Sequence, residues 1–215
     1  MKFRLMRPNM AIRKKRIQLS REVVHDLKEV SKLSSSKQWE FAGNIEYKNF
    51  KFNKPNIVTS KKRNRVEGPE IDKVWYSEMS FHTHPGIGYH DEVTCQNTPV
   101  FTTLPSNADF EAFIKGFPEM QVNIICDSHG YYVINILKSA YMRASPLPEA
   151  VHEYMRKVRS KPFMRICVFS DNGIEYFQTT IKNWKREIND YVDPEMMKLF
   201  GVSIRYYGYD DEPPI

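Results

Sequence analysis

The first clear hydrophobic pattern in the chain lies between Val23 and Val30. Apolar residues recur there at spacings of one, three and four, which predicts a helix with a single apolar stripe. Ser20 suits the N-cap position, because its hydroxyl can accept a hydrogen bond from the first helical turn. The polar run Ser34-Ser35-Ser36 predicts the end of this helix.

Alternating apolar and polar residues predict strands along much of the remaining chain. The run Val-Trp-Tyr-Ser-Glu-Met-Ser-Phe predicts a strand over residues 74–84, and Pro85 ends it because proline cannot donate to a sheet ladder. Residues 59–72 are polar and basic and contain Gly-Pro, a composition typical of a mobile loop. Further strands are predicted over residues 39–47, 50–58, 121–126 and 131–137.

Residues 86–103 are irregular in pattern and separate two predicted elements. We interpret this segment as an insertion that forms a lid over a cleft. The helix that follows is predicted to begin at Asn107, because Ser106 and Asp109 have the spacing of a capping box. Gly116 suits the position after the end of this helix.

The chain beyond residue 140 mixes helices and strands. Pro148 suits the first position of a helix, and Asp171-Asn172-Gly173 predicts a β-hairpin turn. Helices over residues 181–191 and 194–200 and a strand over residues 202–209 are predicted to follow. Together the elements predict an α/β protein with a mixed central β-sheet flanked by helices. We divide it into a basic N-terminal arm (1–18), a core (19–140) and an α+β C-terminal extension (141–215).

Positive charge is concentrated in the first third of the chain. The net charge is +6, but residues 1–65 hold 18 Lys/Arg and 5 Asp/Glu, whereas the remainder holds 14 and 21. The basic arm could therefore contact nucleic acid, an anionic assembly or the acidic face of a partner. The alternative is a solvated tail that contacts nothing. Apolar residues make up 41% of the chain and aromatic residues 13%, which argues against disorder.

Cysteine content and hydropathy bear on the compartment. The chain has three cysteines and no CxxC pair, which favours free thiols in a reducing, intracellular compartment, cytoplasmic or nuclear. No apolar run approaches the ~20 residues that a membrane span needs. Residues 1–16 are basic and lack the apolar core of a secretory signal.

Two histidines at the end of a predicted strand are the strongest indication of chemistry. His82 and His84 lie two positions apart, so on a strand both would point to one face and could reach one metal ion. Asp109, in the first turn of its helix, would supply an anionic oxygen ligand, and Ser106 would hold its hydroxyl beside the ion. Glu40 supplies another carboxylate from an upstream strand.

These residues resemble the motifs of the JAMM (MPN+) zinc metalloproteases, a family that includes many deubiquitinating isopeptidases. Glu40 with Gly43 matches the first motif, His82-Thr83-His84-Pro85 the second and Ser106-Asn107-Ala108-Asp109 the third. The resemblance covers roughly residues 19–137. One departure concerns spacing, because 21 residues separate His84 from Ser106 where the family has about seven. This insertion changes the expected shape of the substrate groove.

The resemblance implies a cytidine-deaminase-like MPN/JAB core and one Zn²⁺ held by His82, His84 and Asp109, with a fourth position open. It implies Glu40 as the general base and Ser106 as a hydrogen-bond donor to the oxyanion. The implied reaction is the hydrolysis of a peptide or isopeptide bond. The implied substrate is a peptide, or ubiquitin or a ubiquitin-like tail bound as an added strand.

Two other functions fit parts of the sequence. The HxH motif also occurs in amidohydrolase and PHP-type phosphoesterase barrels, but such barrels need ~250 residues and more histidines than the six present here. An MPN-like scaffold or assembly protein could instead retain the metal site without turnover. Its basic arm and C-terminal extension would then dock partners, for example in a virion.

Overall fold

A computed structural model describes residues 19–49, 51–75, 77–87, 97–137, 147–161, 168–171 and 174–211. The basic arm and residues 88–96 of the predicted lid lie outside the described residues. The strands are β1 (Ala42–Asn44), β2 (Tyr47–Lys48), β3 (Lys51–Phe52), β4 (Asn56–Val58), β5 (Met79–Thr83), β6 (Pro99–Thr103), β7 (Val122–Cys126), β8 (Gly130–Ile136), β9 (Val168–Asp171), β10 (Ile174–Thr180) and β11 (Val202–Gly208).

Helices connect and cover these strands. The helices are α1 (Arg21–Lys37), α2 (Pro69–Trp75), α3 (Asn107–Gly116), α4 (Leu147–Arg159), α5 (Ile181–Arg186) and α6 (Asp193–Phe200), with a π-helical turn over Glu187–Val192. Ser20 caps α1 as predicted, because its hydroxyl accepts a hydrogen bond from the Val23 backbone N–H. The predicted helix over residues 107–115 is confirmed as α3, but Gly116 is its last residue, so the prediction that Gly116 follows the helix was wrong. Within the described residues, no helix combines the length and apolar character that crossing a membrane requires.

The central sheet has six strands in the order β11-β8-β7-β5-β1-β4. Strands β5 and β7 run parallel, and the other neighbours in this sheet pair antiparallel. The expectation of an α/β protein with a mixed central sheet flanked by helices is therefore confirmed. The finer expectation of an MPN/JAB core stays a prediction.

Alternate residues of the sheet pack on opposite faces. Met79 and Phe81 of β5 belong to a buried cluster with the apolar stripe of α1. On the other face, Ile125 of β7 packs in a second cluster with residues of α3 and α4. Because strand side chains alternate between faces, Ser80 and His82 point away from α1 and towards α3. The candidate chemistry therefore lies on the α3 face.

The segment after residue 140 completes this core. Its strand β11 pairs with β8 along seven residues, from Val202↔Ile136 to Gly208↔Gly130. Its strand β10 pairs with β6, which lies inside the predicted insertion at 86–103. The insertion is thus regular in its last five residues, because Pro99–Thr103 find a partner strand about 75 positions later in the chain.

Several predicted boundaries were wrong where tertiary contacts override local pattern. Helix α1 continues through Ser34-Ser35-Ser36 to Lys37 and ends with Gln38 in the left-handed conformation. The strand predicted over residues 74–84 is confined to β5, because Val74 and Trp75 end helix α2. That helix also takes up part of the loop predicted over residues 59–72. The strands predicted over residues 39–47 and 50–58 form shorter pieces, β1 to β4.

Candidate metal centre

The two histidines extend from the end of β5. His82 is its fourth residue, and His84 follows the strand but continues its ladder, because the His84 N–H donates to the Cys126 carbonyl at 2.8 Å. The side chains of positions 82 and 84 point to the α3 face because strand residues two apart share a face. The two Nε2 atoms lie 3.2 Å apart. The assigned strand ends at Thr83, two residues before Pro85.

Glu40 reaches the same place through the register of β1 against β5. Ala42 pairs with His82, so Glu40 lies opposite His84 on the same face. The backbone of Glu40 is fixed on both sides, because its N–H donates to the Lys62 carbonyl at 2.7 Å and its carbonyl accepts from the Thr59 hydroxyl at 2.7 Å. Carboxylate and imidazole ligand atoms of Glu40, His82 and His84 lie within 4.8 Å of one another. This cluster could hold a metal ion.

Asp109 approaches the histidines from the first turn of α3. One carboxylate oxygen, Oδ1, lies 3.1 Å from His82 Nε2, and Oδ2 lies 3.3 Å from His84 Nε2. The capping box orients this side chain, because Oδ2 also accepts from the Ser106 N–H at 2.6 Å. In return the Ser106 hydroxyl accepts from the Asp109 N–H at 3.2 Å. That bond uses a lone pair of the hydroxyl and not its hydrogen.

The donor atoms fit one small divalent cation. Tetrahedral coordination with bonds of about 2.0–2.1 Å separates ligand atoms by roughly 3.3–3.4 Å. The two Nε2 atoms lie 3.2 Å apart, and each also lies near one Asp109 oxygen, His82 Nε2 at 3.1 Å from Oδ1 and His84 Nε2 at 3.3 Å from Oδ2. Two imidazoles and a carboxylate are also the usual ligand types for zinc.

One feature departs from the usual surroundings of a metal-binding histidine. Such histidines generally donate their other ring N–H to a carboxylate, a carbonyl or water. His84 Nδ1 is buried and has no hydrogen-bond partner among the described residues. The orientation of this ring is therefore set by packing and by its contacts at Nε2.

The two carboxyl groups differ in their electrostatics. Burial raises the pKa of Glu40 to about 7, with the nearby charge of His84 opposing this rise and that of Asp109 adding to it. Burial also acts to raise the pKa of Asp109. The charge of His82 and hydrogen bonds from His82 and His84 outweigh it and hold that pKa well below its ordinary value. Near neutral pH, Asp109 is thus a permanent anion, whereas Glu40 can exchange a proton.

The sequence motifs predict this group of side chains but do not predict other residues that line the cleft. The structure brings Glu40, His82, His84 and Asp109 together, and Ser106 joins them through Asp109. The roles assigned to these five residues stay predictions. Arg159, which lines the same cleft, was not anticipated, because it lies fifty positions after Asp109, the end of the last motif, and has no local signal.

Comparison with protein-family models gives no match, and no curated protein is significantly similar to this chain.

Proposed function

We propose that this protein is a zinc-dependent hydrolase of peptide or isopeptide bonds, of the JAMM type. The observation that carries the proposal is the convergence of His82, His84 and Asp109 at 3.1–3.3 Å, with Glu40 beside them. An arrangement of three protein ligands leaves one coordination position open, which is typical of catalytic and not structural zinc sites.

The ion would be held by His82 Nε2, His84 Nε2 and the Asp109 carboxylate. Bound zinc supplies Lewis acidity, which lowers the pKa of a coordinated water from 15.7 towards about 7. The side chains of His82, His84 and Asp109 are only 17%, 10% and 14% exposed, so bulk water is largely excluded from the donor atoms. A low local dielectric strengthens each electrostatic interaction within the centre.

Glu40 is the residue suited to move a proton. Glu40 is 8% exposed, and its pKa of about 7 allows it both to accept and to return a proton near neutral pH. In amide hydrolysis it would take a proton from the attacking water and give it to the leaving amine. Ser106 Oγ would donate its hydrogen to the oxygen that becomes negative in the transition state.

Metal content is the first measurement. Purified protein should contain about one zinc ion per chain by inductively coupled plasma mass spectrometry, and His82→Ala and Asp109→Ala should each lose it. Glu40→Gln should retain the zinc, because Glu40 is assigned the proton and not the ion.

Turnover is the second measurement. Wild-type protein is offered a panel of di-ubiquitins and a peptide library, and Glu40→Gln should reduce cleavage by about 10²–10⁴-fold, the usual contribution of a general base. Stoichiometric zinc without cleavage of any substrate would favour the scaffold alternative. Cleavage that survives in Glu40→Gln would remove that residue from the reaction.

A further inference from the structure

Two cavities of different character flank the candidate metal centre, and Glu40 and Asp109 line both. The first has a volume of about 230 Å³, includes His82, and has apolar walls from residues such as Phe81 and Phe113. The second has a volume of about 530 Å³, includes His84, and has more polar walls. A chain bound across the centre would thus meet an apolar pocket on one side and a polar one on the other.

The polar cavity has cationic side chains on its wall. Arg63 and Arg159 both line it, together with Asn64 and Asn107. Apart from the residues of the centre itself, Glu175 is the acidic side chain on this wall. A cation in the metal centre would add further positive charge. With a divalent cation bound, the charges of Arg63, Arg159 and the cation exceed those of Glu40, Asp109 and Glu175 by one, which favours an anionic group in this cavity.

Arg159 is the best positioned of these cations. It is the last residue of α4, and its Nη2 donates to the Pro105 carbonyl at 3.2 Å, next to the Ser106 motif. Glu175 forms an ion pair with Arg159, but its oxygen lies 3.9 Å from Arg159 Nε, beyond hydrogen-bond distance, and its side chain is 49% exposed. The bond to Pro105 fixes the position of the Arg159 guanidinium. Because a guanidinium has five N–H donors, others remain for a ligand.

We infer that Arg159 binds a carboxylate of the substrate polypeptide close to the bond that is cleaved. This inference rests on the proposed function and narrows its substrate class to chains with an acidic side chain or a free C-terminal carboxylate at that point. Planar two-donor contact between guanidinium and carboxylate gives a geometric selectivity that lysine does not match.

Peptide binding to the zinc-loaded Glu40→Gln protein tests the inference without turnover. The probes are fluorescein-labelled octapeptides of Leu, Ala and Gly that carry one Glu or one Gln at each position in turn, with a free or amidated C-terminus. Fluorescence anisotropy should give at least one carboxylate peptide that binds about tenfold more tightly than its uncharged match, the usual size of a charge-assisted hydrogen bond. Dependence on Glu position indicates a side-chain carboxylate, and dependence on amidation indicates the chain terminus.

Variants of three residues separate recognition from structural support. Arg159→Met should abolish the preference for carboxylate, and Arg159→Lys should retain part of it. Glu175→Gln should increase it, because a competing carboxylate is removed. Arg156→Met is the matched control, since Arg156 lies on the same helix, is 70% exposed and pairs with Glu153. It should leave the preference unchanged.

Three results would overturn the inference: equal binding of charged and uncharged peptides, no peptide binding at all, or equal weakening of every peptide by Arg159→Met. The last would assign Arg159 to the support of Pro105 alone. Each anisotropy series is repeated without zinc, so the result does not depend on metal loading. A carboxylate preference that Arg159→Met abolishes, in a wild-type protein that cleaves nothing, would contradict the proposed hydrolase and would limit this inference to carboxylate binding by Arg159.

Discussion

Glu40 carries a carboxyl group that the fold buries beside two imidazoles and a second carboxylate. Burial raises its pKa from 4.5 to about 7. Between these two pH values, the folded protein without metal therefore keeps a proton on Glu40 that the unfolded chain releases. A carboxyl group with a raised pKa contributes stability below its unfolded pKa, and that contribution disappears as the pH rises through its folded pKa.

This pKa shift predicts that the free energy of unfolding of the metal-free protein depends on pH. As the pH rises from 4.5 to 7, the ionisation of Glu40 alone should lower the free energy of unfolding by about 1.4 kcal/mol per pH unit, about 3 kcal/mol in total. Urea denaturation in the presence of a chelator, at pH 5 and pH 8, measures it. Glu40→Gln should show a smaller loss over this interval than wild type. Parallel pH profiles for the two proteins would disprove the assignment.

At the scale of elements, the C-terminal end of α1 connects the two strands that carry the centre. Ser34 is fully buried, donates to the Trp39 carbonyl at 2.7 Å and accepts from the Thr83 hydroxyl at 2.8 Å. Thr83 Oγ1 in turn accepts from the Phe41 N–H at 3.0 Å. These bonds hold the chain next to Glu40 against the chain between the two histidines.

Replacement of Ser34 by alanine should therefore be costly. It leaves the Trp39 carbonyl and the Thr83 hydroxyl without their partner in a buried place, which should reduce the free energy of unfolding by about 1–3 kcal/mol. The matched control is Ser36→Ala, because Ser36 lies on the same helix, is exposed and bonds only locally to the Leu33 carbonyl. We expect that control to stay within about 0.5 kcal/mol of wild type by urea denaturation. Equal effects of the two changes would contradict this account.

Gly43 allows β1 to lie close to its neighbours in the sheet. A Cβ atom at this position would overlap the Asn56 carbonyl oxygen and the Phe81 ring. Gly43→Ala should thus force a shift of β4 or of Phe81 and destabilise the fold by about 1–3 kcal/mol.

Gly116→Ala is the control for this substitution. Its Cβ would meet Met120 at ordinary contact distances of 3.4 Å or more. Thermal denaturation should find that variant near wild type, while Gly43→Ala melts at a lower temperature. A Gly43→Ala protein as stable as wild type would mean that β1 does not need this close approach.

At the scale of the whole molecule, metal binding should increase the free energy of unfolding. A cation that binds only the folded protein adds about 2.7 kcal/mol at a free concentration of 100 times its Kd. For a chain of this length, that corresponds to a rise in Tm of roughly 5–10 °C. Differential scanning fluorimetry with Zn²⁺, and then with a chelator, measures it.

Two control samples in the same measurement show whether the stabilisation comes from zinc bound at this centre. His82→Ala should not respond to Zn²⁺, and Mg²⁺ should have little effect on wild type because it prefers oxygen ligands. An equal response of wild type and His82→Ala would assign the stabilisation to zinc bound elsewhere.

The described part of the predicted C-terminal extension also contributes to the fold of the whole molecule. Its strand β11 forms an edge of the central sheet, and its strand β10 pairs with β6. Residues of α4, α5 and β11 share one buried cluster with α3, which carries Asp109. The segment after residue 140 therefore supports the wall of the cleft and supplies Arg159 to it.

Local signals were sufficient where a short stretch of sequence controls the outcome. The capping box at Ser106 and Asp109 determined the start of α3, because its hydrogen bonds join residues only three positions apart. The spacing of His82 and His84 determined that they share a face, because strand side chains alternate. The sequence motifs thus predicted that the side chains of Glu40, His82, His84, Ser106 and Asp109 converge, and the element pattern predicted the α/β class.

Tertiary structure alone decided the features that depend on contacts between distant residues. The position of Glu40 opposite His84 depends on the register of β1 against β5, and no nearby residue encodes that register. Ser34, at the predicted end of α1, is helical, and its buried hydroxyl bonds to the Thr83 hydroxyl of β5 and to the Trp39 carbonyl. Arg159 reaches the cleft only because α4 packs against α3. Hydrophobic burial drives such packing without direction, so the sequence pattern cannot specify which distant side chains meet.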